Sequence, residues 1–375
     1  MAQIEGQCDD KFAELKAVLS ANIDSGADLG ASVAVVHRGE MVVDIWGGHS
    51  DVEQTKPWAS DTITNVFSST KTMAALCALV LVDRGELDVH APVAQYWPEF
   101  AAAGKAEIPV RDLMSHTAGL AGWEEMMKVE DFYNWNLCTQ RLANQAPWWK
   151  PGTASGYHAF TQGYLIGEVV RRISGRSLGK FFADEIATPL NADFHIGLDV
   201  KHDHRVSLVV APPNPLPLSD DKTSPSYKTF TNPPLDPLFP HDPRWRRAEI
   251  PAANGHGNAR AVVLAQSVVT HGGEFNGVRL LSPKTIDLIF EEQANGKDIV
   301  LGMPFRFGIG YGLPNESVPY LPDGRICYWG GWGGSLVIND VDRELNFAYM
   351  MNKMSDGTVG DARGAALINA MYSAL

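Results

Sequence analysis

Segments of strand character lie at both ends of this chain and helical segments fill the middle, an order that few architectures accept. Near the start, Ala31–His37 and Met41–Trp46 are rich in β-branched residues and flank Arg38-Gly39-Glu40, the signature of a hairpin with a three-residue turn. Near the end, Tyr328–Asn339 and Leu345–Asn352 read as paired strands around the polar turn Asp340–Arg343. Between them, Thr70–Arg84 (stopped by Gly85), Pro109–Met114 and Thr161–Ser174 carry apolar residues at helical spacing, as do residues 8–24 before the hairpin and Ala259–His271 after the middle region. The expected fold is α+β. Residues 1–75 and 255–375 form a sheet domain, and residues 76–254 form a mainly helical region inserted into it. Within the insertion, residues 212–243 hold 10 of the 23 prolines and predict an irregular excursion over the surface, a common place for a binding cleft.

Composition narrows the function. A chain of 375 residues with 45% hydrophobic and 20% charged residues is globular. Its formal charge of −13, without basic blocks, repels phosphate backbones and argues against nucleic acid as a partner. Cys8, Cys77, Cys138 and Cys327 are scattered, which fits neither a zinc ribbon nor a disulfide scaffold. The first residues lack the charged flank and apolar core of a signal peptide, and the longest apolar run, Met73–Val82, is too short to span a bilayer. The expectation is a cytoplasmic protein with no membrane contact.

Ser68-Ser69-Thr70-Lys71 is an S-x-x-K at the mouth of an apolar helix. Residues three apart share a helix face, so the amine can reach the hydroxyl. A lysine whose pKa is lowered by burial can accept the serine proton, and a helix N-terminus favours a developing oxyanion. About one or two chance matches are expected in such a chain, and Ser177–Lys180 and Ser219–Lys222 also fit. Only the Ser68 copy joins a β-like run, Thr62–Phe67, to a buried helix. Ser219 lies in the proline-rich excursion, and Ser177 reads as a helix cap.

Gly175-Arg-Ser-Leu-Gly179 is a literal G-x-S-x-G, but a nucleophile elbow needs a strand before the serine, and here a helical segment precedes it. That reading is rejected. Tyr157, behind the glycine-flanked Pro151–Gly156, could face a cleft, where a nearby ammonium would favour its phenolate as a base. In Tyr328-Trp-Gly-Gly-Trp-Gly-Gly-Ser335 the glycines suggest a strand edge that a ligand approaches closely, with a backbone N–H free for an oxyanion. His202-Asp203-His204 could put two imidazoles on one strand face, but no further ligands join them, so neither metal nor cofactor is expected.

In combination, Phe67–Thr72, Leu113–Leu120, Pro151–Tyr157 and Trp329–Ser335, with Asp83–Asp88 and Asn254-Gly255, resemble the serine β-lactamase and penicillin-binding-protein-like superfamily. The likeness is specifically to family VIII carboxylesterases, built on the class C β-lactamase fold, and spans roughly residues 10 to 370. It implies a β-lactamase/transpeptidase-like fold, a central antiparallel sheet flanked by helices, with the active site between sheet and helical region. It also implies Ser68 as the acylated nucleophile, Lys71 and Tyr157 as the proton-transfer pair, and the backbone N–H groups of Ser68 and Trp332 as the oxyanion hole.

Two departures from the β-lactamase pattern bear on the substrate. Trp329 stands where that family has the lysine of Lys-Thr-Gly, and Ala159 where it has an asparagine. Both replace polar recognition by apolar surface and favour a small-molecule ester over a penicillin. Trp329, Gly330, Gly331 and Ala159, with Trp148 and Trp149, are the expected substrate-binding residues. The function expected is a serine carboxylesterase. Alternatives are an acyltransferase of the same fold, a weak β-lactamase or D-amino peptidase, or a catalytically silent binding protein.

Overall fold

The structure, a computed structural model, describes residues 1–375. Its centre is an antiparallel sheet of six strands: β1 (Ile4–Cys8), β2 (Gly30–His37), β3 (Glu40–Gly48), β4 (Ile326–Gly330), β5 (Leu336–Asp340) and β6 (Leu345–Met351). The spatial order is β1-β3-β2-β6-β5-β4. The two ends of the chain therefore meet at its middle, where Ala34 pairs with Ala348 and Val33 with Tyr349. Helix α1 (Ala13–Asp24) and the C-terminal helix cover one face, and a helix from residues 259–270 covers the other.

Covering both faces explains why β2 reads as an unbroken apolar run rather than an alternating one. Ala34 and Val36 join Val337, Ala348 and Met350 in one core, whereas Val33 and Val35 join Ile338, Phe347 and Tyr349 in the other. The hairpin turn is shorter than the sequence implied. Arg38 and Gly39, both at positive φ (+53° and +83°), make a two-residue turn, and Glu40 already pairs with His37.

Two further boundaries differ from expectation. The helix expected over residues 8–24 begins at Ala13, and β1 precedes it as an edge strand that gains its conformation by pairing with β3. Tyr328–Asn339 is two strands, β4 and β5, because Gly333 (φ +93°) and Gly334 (φ +124°) adopt backbone that an L-residue avoids and reverse the chain.

Below the sheet runs α2 (Thr70–Asp83), in which every residue from Thr70 to Leu81 is buried; Gly85 (φ +70°) ends it. Helix α3 (Thr161–Ser174) packs on one side of α2 and α4 (Ala259–Thr270) on the other. A buried polar network fixes α2 to the sheet. Gln266 on α4 donates to the Thr72 carbonyl (3.2 Å) and accepts from Asn339 on β5 (3.0 Å) and from the Tyr311 hydroxyl (2.9 Å). Asn346 on β6 completes it by donating to Asn339 (2.8 Å). A satisfied network of this kind fixes register as well as distance.

Residues 208–224 contain no regular structure, and helical turns resume at Pro225–Thr231. Ser177 follows α3, not a strand. It caps Leu178–Phe182 by accepting from the Lys180 N–H and donates to Glu249 (2.6 Å), so the G-x-S-x-G is a helix start. His202-Asp203-His204 lies on a 3-10 turn (Val200–Arg205) rather than the strand the sequence allowed. No helix is long and apolar enough to cross a membrane. The final helix, α5 (Ala362–Ser373), packs beside α1.

Candidate active site

The chain reaches Ser68 through a short strand (Ile63–Asn65) and a sharp turn at Phe67, whose φ is +44°. A bulky residue in that region stores strain and persists only where its surroundings hold it. They do so here. The Thr70 hydroxyl donates to the Phe67 carbonyl (2.5 Å) and accepts from the Gly255 N–H (2.8 Å). The Ser335 hydroxyl donates to the Val66 carbonyl (2.8 Å) and contacts the Ser69 hydroxyl at 2.9 Å. The β-like run before Ser68 is thus a three-residue strand followed by a strained turn, which sequence pattern does not disclose.

Ser68, Lys71 and Tyr157 converge. Lys71 Nζ lies 3.3 Å from Ser68 Oγ, and Tyr157 Oη lies 2.5 Å from the same oxygen. Lys71 also donates to the Ala159 carbonyl (2.7 Å) and the Ala252 carbonyl (2.9 Å) and sits 4.7 Å from the centre of the Tyr157 ring. Burial without a carboxylate partner drives the Lys71 pKa well below its ordinary 10.5. A neutral amine has two N–H bonds and one lone pair. The two carbonyls take the former, which leaves the lone pair for the Ser68 proton.

Tyr157 behaves differently from the sequence expectation. Burial pushes its phenol above the ordinary value of 10, and the hydrogen bond to Ser68 only partly offsets this. The phenol therefore stays protonated at rest, because desolvation outweighs the hydrogen bonding that would favour its anion. Its position is fixed from several sides. The Tyr157 N–H donates to buried Asp298 (3.0 Å), and the ring packs on His116 (5.0 Å between centroids) and Trp329 (5.6 Å). His116 is a neutral, fully enclosed imidazole at φ +62° whose Nδ1 accepts from the His158 N–H (3.0 Å).

The backbone N–H groups of Ser68 and Trp332 have no hydrogen-bond partner within the protein. Gly331 brings them together: a Cβ there would lie 3.3 Å from Ser68 N and collide with the Val66 carbonyl, so only glycine lets the β4–β5 turn close against the Ser68 loop. Two unpaired donors beside one hydroxyl form the arrangement that stabilises a tetrahedral oxyanion. No group of three His, Cys, Asp or Glu side chains is placed to hold a metal ion.

The Beta-lactamase family model matches residues 15–370. The chain belongs to the Beta-lactamase family. The esterase/beta-lactamase LipL of Mycobacterium tuberculosis is 31% identical over 94% of this chain and 83% of its own length. The crystal structure of a family VIII carboxylesterase is 40% identical and superposes with a TM-score of 0.94 over 100% of both chains. A penicillin-binding-protein homologue from Caulobacter crescentus is 36% identical, also with a TM-score of 0.94 over 100% of both.

The cavity beside Ser68 is apolar. It holds about 50 Å³ of free space, and of its twelve lining residues only Ser68 and Thr358 are not hydrophobic. Ala159 and Trp332 line it. Trp329 and Gly330 do not. Trp329 lies beneath Tyr157, with its indole N–H buried and unpartnered, and Gly330 abuts the backbone of Gly360. Gly331 acts through its fit against Ser68 rather than as a wall. Trp148 and Trp149 also miss the cavity. Their indoles donate to Glu124 (2.7 Å) and the Ala154 carbonyl (3.0 Å), bracing the loop before Tyr157 from outside. The lining that sequence reading missed includes Phe160, Leu216, Phe230, Leu235 and Leu301, from segments remote in sequence. The proline-rich excursion was the one available signal for three of these.

Proposed function

We propose that this protein is a serine carboxylesterase that cleaves small neutral esters through an acyl-enzyme on Ser68. The observation that carries the reading is the convergence of a buried amine, its pKa lowered by desolvation, and a buried phenol on one serine hydroxyl, 3.3 and 2.5 Å away. Ser68 Oγ attacks the ester carbonyl while its proton passes to the Lys71 lone pair. The carbonyl oxygen, now negative, takes the N–H groups of Ser68 and Trp332. Collapse breaks the bond to the alcohol. Tyr157 gives its proton to the departing oxygen and is reprotonated by the Lys71 ammonium beside it. Water then attacks the acyl-enzyme with Lys71 again accepting the proton, releasing the acid and restoring Ser68.

The substrate class follows from the cavity. With no charged residue in its lining and an indole where β-lactamases carry a lysine, nothing in it pairs with a substrate carboxylate, whereas apolar walls favour a neutral ester. The test is hydrolysis of p-nitrophenyl acetate by the purified protein, with labelling of Ser68 by a fluorophosphonate read by mass spectrometry. Hydrolysis that persists in Ser68→Ala, or a label found on another serine, would refute the assignment.

A further inference from the structure

Beyond the cavity at Ser68 lies a second, larger compartment of about 400 Å³. The two share Leu216, Phe230, Leu235 and Trp332, so these side chains form the threshold between them. Past the threshold, the walls are the prolines of the irregular excursion, among them Pro213, Pro215 and Pro237, together with Leu218. Proline offers no N–H, so such a wall presents apolar surface with few donors to satisfy. Leu218 is 50% exposed, a large apolar side chain left open to solvent on the compartment's lining.

The compartment is held open by its anchors. Asn214 on one wall donates from its backbone to Asp356 (3.1 Å) and from its side chain to the same carboxylate (2.8 Å). Behind the opposite wall, Asn232 accepts from the Met127 N–H (2.7 Å) and donates to the Trp123 carbonyl (2.8 Å). A pocket already formed needs little ordering when it is filled.

We propose that this outer compartment is a binding subsite for the distal part of an extended apolar acyl chain. The inference rests on the reading of Ser68 as the acylated residue. The departing alcohol oxygen must lie near Tyr157 to receive its proton, and neither Tyr157 nor Lys71 borders the outer compartment. The acyl side of the ester is the part free to extend away from Tyr157, over the threshold and between the prolines. Short acyl groups end within the inner cavity; longer ones reach the outer walls.

The experiment compares kcat/KM for p-nitrophenyl octanoate and acetate in the wild type and in Leu218→Glu and Pro213→Glu, two changes on exposed loop positions. A carboxylate among these walls should lower the octanoate-to-acetate ratio by about tenfold in at least one variant, because it replaces apolar contact with several methylenes. In a parallel series with the acyl group held as acetate, the octyl-to-methyl ester ratio should stay as in the wild type. An unchanged acyl ratio in both variants, a shift confined to the alcohol series, or a wild type that does not turn over octanoate would each overturn the proposal. Ser68→Ala separates the two readings: loss of both p-nitrophenyl esters there upholds the nucleophile whatever the ratio does.

Discussion

On one side of the cavity, Ser68 and Lys71 stand at the head of α2, and Tyr157 on a loop pinned by Asp298 and His116. The reacting side chains are held by buried hydrogen bonds, and the Gln266 network ties α2 to the sheet. On the other side, Leu216 and Leu235 project from a segment rich in proline, without strands, held by side-chain bonds such as Asn214 to Asp356. The difference follows from what each wall must do. Proton transfer over 2.5–3.3 Å tolerates little displacement, so its groups are set in the core, where packing over-determines them. Recognition of an apolar group is set by surface and shape, so a loop can supply it and vary without disturbing the chemistry.

The largest expected effect tests whether the core wall carries the chemistry at all. Ser68→Ala should lower kcat by about ten-thousand-fold, while Ser177→Ala leaves kcat unchanged and destabilises the fold by about 1 kcal/mol through the lost cap. Parallel steady-state assays and thermal melts distinguish them; an active Ser68→Ala would remove the basis of the contrast.

Next in size is Lys71→Arg, which keeps a long cation but one that does not deprotonate; kcat should fall by about 10²–10⁴-fold. The pH profile sharpens the point. Lys71 acts as a neutral base, and burial lowers its pKa in the folded enzyme. Activity should therefore rise with pH through that depressed value and level off well below 10.5, and the limb should be absent from Lys71→Arg. Tyr157, whose pKa is raised, adds no descending limb below its ordinary value of 10. A limb retained in Lys71→Arg would transfer the role of base to another group.

Ser335→Ala removes the bond to the Val66 carbonyl that holds the Phe67 turn, without touching substrate. We expect a tenfold or so loss in kcat with little change in KM, and a stability loss of about 1–3 kcal/mol for the unsatisfied carbonyl. Rescue by Ser335→Thr, read as a kcat and KM split, separates positioning from mere destabilisation. The smallest effect belongs to the loop wall. Asn214→Ala should change stability by no more than about 0.5 kcal/mol, whereas Gln266→Ala in the buried network should cost about 2 kcal/mol or more. Equal losses in a denaturant titration would erase the distinction between the walls.

What could be read from the residues follows the same division. Local rules identified the β2–β3 hairpin, α2, α3 and α4, because their periodicities and stops are written in neighbouring residues. The S-x-x-K at Ser68 could be chosen over its two rivals because only it opens a helix with no polar face. Where pairing with a distant segment supplies the conformation, local rules failed: β1 was not anticipated, and β4 with β5 was read as a single strand. The tryptophans at 148 and 149 misled because an apolar ring has the same composition whether it lines a cavity or braces a loop.

The sequence alone thus determined the order of strands and helices, the serine and lysine one helical turn apart, and the loss of a cation at Trp329. Each is a short-range property, fixed by the geometry of a helix turn or by the identity of one side chain. Only the tertiary structure decided that Tyr157 meets Ser68, that the Lys71 pKa falls and the Tyr157 pKa rises, and that prolines from the excursion form an outer compartment. Those outcomes depend on desolvation and on contacts between residues far apart in the chain, and both come into being only when the core closes around them.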